Sequence, residues 1–192
     1  APQACTFLIA FNNAKGIFSD KRMREAVAIA IDKEEIALGA TNGYATPTEA
    51  GITPLCPQAP KDFKGLERDV ERAKQLVAEA GYPNGVDITM RIIGASNYTK
   101  PAEVVQAQLK EIGINLSIEP MERASWFDLC YTGGDYEISI YANAVQVLDA
   151  DFGAYPFLHS SELNGGNNYM AINNPELDEL LDKARISDDE PE

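Results

Sequence analysis

The chain has 192 residues, of which 45% are hydrophobic, a composition that allows one substantial globular core. The 30 acidic side chains outnumber the 16 basic ones and give a net charge of −14, which opposes binding to nucleic acid or any other polyanion. No run of 18 apolar residues occurs, and the first residues lack the basic start and apolar middle of a signal peptide, so we expect a soluble chain.

The first 81 residues predict a strand, two helical regions and a long loop. Residues 6–11 are short, apolar and rich in aromatic and β-branched side chains, as is typical of a strand. A helix follows, with Ser19 as its N-cap and Asp20 in its first turn, and Asp32 caps a short continuation. Residues 40–65 are rich in proline and glycine and predict a loop, after which a helix begins at Asp69.

The rest of the chain alternates between strands and helices. In chain order the patterns predict a strand at 87–93, a polar loop at 94–98, a helix with Pro101 in its first turn, a strand at 114–118, a helix at 123–131, a strand at 136–141 and a last helix from Pro175. This alternation indicates an α/β layered domain in which at least some strands pair in parallel.

Few side chains offer catalytic or metal-binding chemistry. His159 is the only histidine, and the sequence contains none of the motifs G-x-S-x-G, G-x-x-x-x-G-K-[ST], G-x-G-x-x-G or H-E-x-x-H. Cys5, Cys56 and Cys130 are odd in number and far apart, so we expect neither a metal site nor a Cys5–Cys130 bridge. A small α/β enzyme that uses His159 is one hypothesis, although nothing beside the imidazole supports it.

Four segments, in this order, resemble the oligopeptide/dipeptide/nickel family of extracellular solute-binding proteins. Residues 11–36 are similar to the family's "N…PF-D-RVR-A…AID+..I" signature, with Ile17 where proline is usual. Residues 71–82 resemble the "AK.LL.EAGY" helix, residues 106–114 the "iq.qLk.iGi" helix, and residues 173–181 the "N.eLD.Ll" helix. Together they extend over nearly the whole chain.

The resemblance implies a periplasmic-binding-protein-like lobe, with a mixed β-sheet flanked by helices, over residues 1–192. Family members have two lobes, and this chain corresponds to the second, with the first lobe and a returning C-terminal segment outside it. The implied function is that of the substrate-binding component of an ABC importer, which captures peptides or similar small solutes between its lobes for a membrane permease. The resemblance further implies an extracytoplasmic monomer, anchored as a lipoprotein, without catalytic activity or a cofactor.

The same resemblance selects candidate ligand-binding residues. Peptide-binding members read "gW..D..DP" after the strand that enters the cleft, and a gapless alignment places Asn143 at the Trp, Gln146 at the first Asp and Asp149 at the second. Tyr141, at the end of that strand, and Asn97, in the loop after an earlier strand, complete the set. Three weaker candidates are Ser96, Tyr98 and Trp126, the last of which fits a core position equally well.

The absence of a carboxylate at position 146 bears on the ligand. In peptide-binding members that carboxylate pairs with the free amino terminus of the peptide, whereas Gln146 carries no charge. We therefore expect a neutral or modified ligand rather than a free-amine peptide, unless the alignment is one residue out of register or an acid comes from elsewhere in the cleft. A sensor or docking lobe without a transport role is the alternative function.

Overall fold

Four strands form one mixed sheet in the order β1-β4-β2-β3. The computed structural model describes residues 5–49, 51–60, 62–144 and 149–186. The strands are β1 (Cys5–Phe11), β2 (Val86–Ile93), β3 (Ile114–Met121) and β4 (Ile138–Ala144). β2 runs parallel to both β3 and β4, whereas β1 is antiparallel to β4. The predicted α/β class with a mixed sheet is confirmed.

Seven α-helices connect and cover the strands in the described ranges. They are α1 (Lys21–Ala30), α2 (Lys33–Thr41), α3 (Val70–Glu79), α4 (Ser96–Glu111), α5 (Arg123–Trp126), α6 (Ala150–Leu158) and α7 (Pro175–Ile186). A π-helical segment (Phe127–Thr132) continues α5, and 3-10 turns lie at Gly16–Ser19 and Ser160–Glu162. Among the described helices, none has both the length and the apolar character needed to cross a bilayer.

The strand register divides the sheet into two faces. On the first face, Met90 of β2 and Ile138 of β4 are neighbours and both are fully buried. Phe11 is opposite Ile138 and its ring packs against Phe18, which precedes α1. Helix α4 also contacts β2, β3 and β4. The second face, which includes Tyr141, is covered by α5 and the segment after it, so helices lie on both sides of the sheet.

Aspartate side chains begin the first three helices. The Asp20 carboxylate accepts the backbone N–H of Arg22 at 2.8 Å, and Asp32 and Asp69 cap α2 and α3 in the same way. The predicted cap at Asp32 is confirmed, but the cap of α1 is Asp20 and not Ser19. The Ser19 hydroxyl instead donates to the Gly16 carbonyl at 2.8 Å, because Ser19 ends the 3-10 turn before the helix.

A buried glutamine joins α4 to the junction between α1 and α2. The Gln108 side chain, 3% exposed, accepts the N–H of Asp32 at 3.1 Å and donates to the Asp32 carbonyl at 3.3 Å and the Glu35 carboxylate at 2.7 Å. All the polar atoms of this amide are therefore used inside the protein, and the bonds fix how α4 packs on the first two helices.

Helix α4 begins earlier than the sequence pattern predicts. Only residues 94 and 95 of the predicted loop at 94–98 precede the helix, because α4 starts at Ser96. Pro101 consequently lies in the second turn of α4 and not in the first. The Tyr98 side chain is 5% exposed and packs edge-on against Phe7 of β1, with ring centroids 5.6 Å apart. Burial of this ring stabilises a helical turn whose Ser and Asn residues favour a loop by composition.

In the turn before β2, two glycines should differ in how strongly their replacement by alanine destabilises the fold. Gly85 has φ +86°, and a Cβ there would lie 2.6 Å from the Gly113 carbonyl oxygen, whereas Gly81 has φ +104° and open space around it. We expect Gly85→Ala to lower the free energy of unfolding by about 2 to 4 kcal/mol, since strain and a backbone clash combine, and Gly81→Ala by about 1 to 2 kcal/mol. Urea unfolding of both variants measures the difference, and equal losses would contradict this account of the turn.

Candidate functional site

The carboxyl ends of three strands and the amino end of the fourth lie along one edge of the sheet. β2, β3 and β4 end there, and β1 begins there, since Cys5 pairs with Ala144 and Ile93 pairs with Met121. We call this the carboxyl edge. In open α/β sheets, ligands bind outside the carboxyl ends of parallel strands, so loops at this edge are the first place to look for binding groups.

The structure places four of the five candidate ligand-binding residues along this edge. Asn97 is exposed in the first turn of α4, directly after β2. Tyr141 is half-buried on β4, and the backbone of Asn143 pairs with Thr6 near the end of the same strand. Asp149 immediately precedes α6. Gln146 lies outside the described residues, so its predicted role stays a prediction from the sequence.

Asp149 has a structural task that the sequence prediction did not include. Its carboxylate accepts the N–H of Asp151 at 2.8 Å and thereby caps α6, a helix that the sequence pattern did not predict. One carboxylate oxygen is therefore occupied by the helix, and the other is the atom left to meet a ligand.

A cluster of aromatic side chains packs against the ring of Tyr141 and fixes its position. The Trp126 ring is fully buried and stacks on Tyr141 with centroids 5.3 Å apart and planes 5° from parallel. Its indole N–H lies 3.2 Å from both the Arg91 carbonyl and the Ser139 hydroxyl. Trp126 is thus a core residue and not an accessible ligand contact, and the burial of Tyr98 also removes that weaker candidate, while Ser96 is exposed.

The tyrosines of this cluster are held in their neutral form. Burial raises the pKa of Tyr131 to about 12, and burial likewise raises the pKa of Tyr141. The Tyr131 ring stacks on Tyr169 with centroids 4.8 Å apart, and Tyr169 meets Tyr141 edge-on at 5.3 Å. At physiological pH the phenols of Tyr131 and Tyr141 therefore carry no charge, and the Tyr131 hydroxyl donates to the Asn167 side chain at 2.7 Å.

His159 belongs to a helix cap. Its ring, 8% exposed, accepts the Ser161 N–H at Nδ1 over 3.1 Å and thereby caps the 3-10 turn, while the Ser161 hydroxyl lies 2.8 Å from the same nitrogen. The backbone proton competes with that hydroxyl for the single Nδ1 lone pair, and the other ring nitrogen, Nε2, lies 3.5 Å from the Asp182 carboxylate. The arrangement gives no support to the hypothesis of an enzyme built on His159.

Other chemistry of the described residues is also limited. Cys5, Cys56 and Cys130 are free thiols, and burial raises the pKa of the Cys130 thiol to about 11. Within the described ranges, no three or more His, Cys, Asp or Glu side chains are grouped so that they could hold a metal ion.

The contact between α7 and the 3-10 turn at Ser160 predicts a pH dependence. Asp178 accepts the Ser160 N–H at 2.9 Å and the Ser160 hydroxyl at 2.5 Å, and these bonds lower the pKa of its carboxyl group below 3.8. The ionised form is thus favoured by folding, so its stabilisation is complete above pH 3.8 and is lost as the pH falls through the lower folded pKa.

We expect Asp178→Asn to be less stable than the parent chain near neutral pH and the gap to close in strong acid. Unfolding in urea, repeated across this pH range, measures the gap. Glu176→Gln makes the same change of charge in the first turn of the same helix and controls for the helix dipole. A gap for Asp178→Asn that is independent of pH would contradict the assigned hydrogen bonds.

The residues that carry the family resemblance serve mainly to build the fold. Asn12 donates to the Gly134 carbonyl at 3.0 Å and accepts the Ala14 N–H at 3.0 Å, which anchors the chain after β1. Arg24 donates to the Phe18 carbonyl at 2.6 Å, and Gln108 and Asp178 make the bonds described above. A motif made of such residues identifies an architecture and leaves the ligand open.

Comparison with known proteins agrees with this architecture. The model of the family "Bacterial extracellular solute-binding proteins, family 5 Middle" matches residues 1–165. Heme-binding protein A of Haemophilus influenzae is 32% identical over 92% of this chain and 33% of its own length. The oligopeptide-binding protein AppA of Bacillus subtilis is 30% identical over 94% of this chain and 36% of its own length.

A solved structure extends the likeness to three dimensions. The Bacillus subtilis AppA structure in complex with a nonapeptide superposes with a TM-score of 0.86 at 26% identity, over 97% of this chain and 40% of that one. The chain thus spans about a third of the length of these curated relatives. The matched motifs, the sheet topology and these comparisons together show that the chain belongs to the bacterial extracellular solute-binding proteins of family 5.

Proposed function

We propose that this chain forms the second lobe of a two-lobe binding protein that captures a peptide or similar small solute for an ABC importer. The observation that carries the proposal is the carboxyl edge, where α4 supplies Asn97, β4 supplies Tyr141 and Asn143, and the start of α6 supplies Asp149, all within a family 5 fold. Binding groups at one edge of one lobe suit a ligand that is enclosed when a second lobe closes over it.

The proposed ligand is peptide-like but need not carry a free amino group. The relatives named for oligopeptides, among them AppA of Bacillus subtilis, support a peptide class. Gln146 offers an amide in place of a carboxylate, which favours a hydroxyl, amide or carboxylate group on the ligand. The proposed protein is a monomer that works outside the cytoplasm as an anchored lipoprotein and docks onto membrane permease subunits.

A comparison of the two-lobe protein with this chain alone tests the proposal. We expect the two-lobe protein to bind its ligand with a Kd of about 1 μM or tighter, and the 192-residue chain to bind it with a Kd of about 1 mM or weaker, since one lobe makes only part of the contacts. Titration calorimetry of both proteins, with peptides of two to five residues and acylated versions of them, measures the ratio. Micromolar binding by this chain alone would contradict capture between two lobes.

A further inference from the structure

We propose that a concavity on the second face of the sheet is a subsite for an apolar, ring-bearing group of the ligand. The inference rests on the proposed function and gives the chemical class of one part of the ligand. The concavity has a volume of about 310 Å³ and lies between the sheet, α6 and the loop from α2 to α3.

Three walls of different origin enclose this space. Leu8 and Tyr141, which are paired partners on β1 and β4, form the floor. Phe157 of α6 forms one side, and Ile52 and Phe63 of the long loop form the other. All five side chains present carbon surface, so transfer of an apolar group from water into this space is favourable.

The described lining offers no unpaired charge to a charged group of the ligand. Glu49 is the only carboxylate in the lining, and Lys33 forms an ion pair with it, so no unpaired charge of the described lining is left to neutralise a charged ligand group. Burial of an unpaired charge in an apolar space is strongly unfavourable. The volume lies at the lower end of the range for small-molecule sites, which suits one ring-bearing group and not a whole peptide.

A glycine in α6 keeps the space open. Gly153 lines the concavity, its φ is not positive, and a Cβ at this position would have no heavy atom within 4 Å. The backbone therefore does not require glycine here, although glycine in a helix interior is less stable than alanine. A larger side chain at this position would therefore have room to extend into the concavity.

Tyr169 adds ring surface to the lining. Tyr169 lines the concavity, is 7% exposed, and its hydroxyl has no hydrogen-bond partner among the described residues. That oxygen has almost no accessible surface, so Tyr169 offers the concavity carbon atoms of its ring and not its hydroxyl. An indole, which is an uncharged and largely apolar ring system, is therefore a suitable probe of the concavity.

The location links this subsite to the carboxyl edge. Tyr141 belongs both to the floor of the concavity and to the candidate ligand-binding residues, and β4 continues from it through Asn143 to the edge. A ligand held at the edge can therefore extend one side group over Tyr141 into the concavity while its polar part stays with the residues at the strand ends.

Indole binding to the 192-residue chain tests the subsite without relying on peptide binding. We expect saturable indole binding, followed by NMR shifts of residues around Tyr141, and at least a tenfold loss in Gly153→Leu, which fills the space from α6. Phe152→Leu changes a neighbouring side chain that is exposed and outside the lining, and it should bind indole as the parent does. Gly153→Ala adds a single methyl group into open space and shows whether α6 tolerates substitution.

Peptide binding by the two-lobe protein distinguishes failure of the subsite proposal from failure of the proposed function. In the two-lobe protein, a peptide with one tryptophan should bind at least tenfold more tightly than its alanine counterpart, and Gly153→Leu should remove this preference. Equal affinities for both peptides, or indole binding that Gly153→Leu does not change, would overturn the subsite. If the protein binds no peptide of either kind, the peptide class of the proposed ligand is wrong, while the indole titration still decides whether the concavity binds rings.

Discussion

Replacement of Trp126 by alanine should lower the free energy of unfolding by about 3 to 5 kcal/mol, the largest loss that we expect from any single substitution in this chain. The ring is fully buried, stacks on Tyr141, and donates its N–H toward two oxygens of neighbouring strands. Alanine would remove the ring and leave a cavity beneath the candidate site. Urea unfolding followed by circular dichroism measures the loss.

Trp126→Phe is the matched control, since it keeps an aromatic ring against Tyr141 and removes the indole N–H. We expect an intermediate loss of about 1 to 3 kcal/mol, because the Ser139 hydroxyl still donates to the Arg91 carbonyl at 2.6 Å. A loss below 1 kcal/mol for Trp126→Ala would show that this ring does not support the sheet, and the position of Tyr141 would then need another explanation.

Gln146→Asp should strengthen the binding of free-amine peptides to the two-lobe protein by up to about tenfold. A charge-assisted hydrogen bond contributes about 1.5 to 3 kcal/mol against about 1 kcal/mol for a neutral one, and desolvation of the new carboxylate reduces the gain. The native ligand should respond in the opposite sense if it carries a hydroxyl or carboxylate, because the amide donor is lost. Calorimetry with both ligand classes measures the two effects.

Asn84→Asp serves as the control for added negative charge. Asn84 is exposed in the turn before β2, at the opposite end of the sheet, so it changes the net charge by the same amount without touching the carboxyl edge. If both variants change affinity equally, the effect is one of long-range charge. If Gln146→Asp shifts both ligand classes equally or not at all, the gapless alignment from 136 to 151 is wrong.

The sequence predicts the framework of the fold because its signals are local. Asp32 and Asp69 precede helices with periodic apolar faces, and both cap those helices in the structure. The strands at 6–11, 87–93 and 114–118 were each predicted within the observed strands, since their apolar runs are bounded by glycines or polar residues. Parallel pairing followed from the alternation of strands and helices.

Elements that depend on distant contacts escaped prediction. Helix α6 contains Gly153 and Pro156, which disfavour a helix by local propensity, and its stability comes from the Asp149 cap and from packing with α7. The predicted helix at 123–131 turns into a π-helical segment after Trp126, where several aromatic rings pack together. These outcomes depend on tertiary packing, which a window of sequence does not contain.

The candidate site was predictable only in part for the same reason. The family alignment selected Asn97, Tyr141 and Asp149, and the structure places all three near the carboxyl edge, while their contact with a ligand stays a prediction. The concavity was missed because its walls come from β1, β4, α6 and a long loop, four segments that no sequence pattern connects. In the sequence, the concavity is indicated only by Gly153, and a glycine there cannot be distinguished from an ordinary helix-breaking residue.

The structure of the two-lobe protein isolated from its host, with the ligand that co-purifies, tests the central claim most directly. We expect the ligand between the lobes, in contact with at least two of the five candidate side chains, namely Asn97, Tyr141, Asn143, Gln146 and Asp149, and with its polar part at the carboxyl edge of this sheet. A ligand bound at the opposite end of the sheet, near the two turns that contain Gly85 and Gly113, would contradict the account.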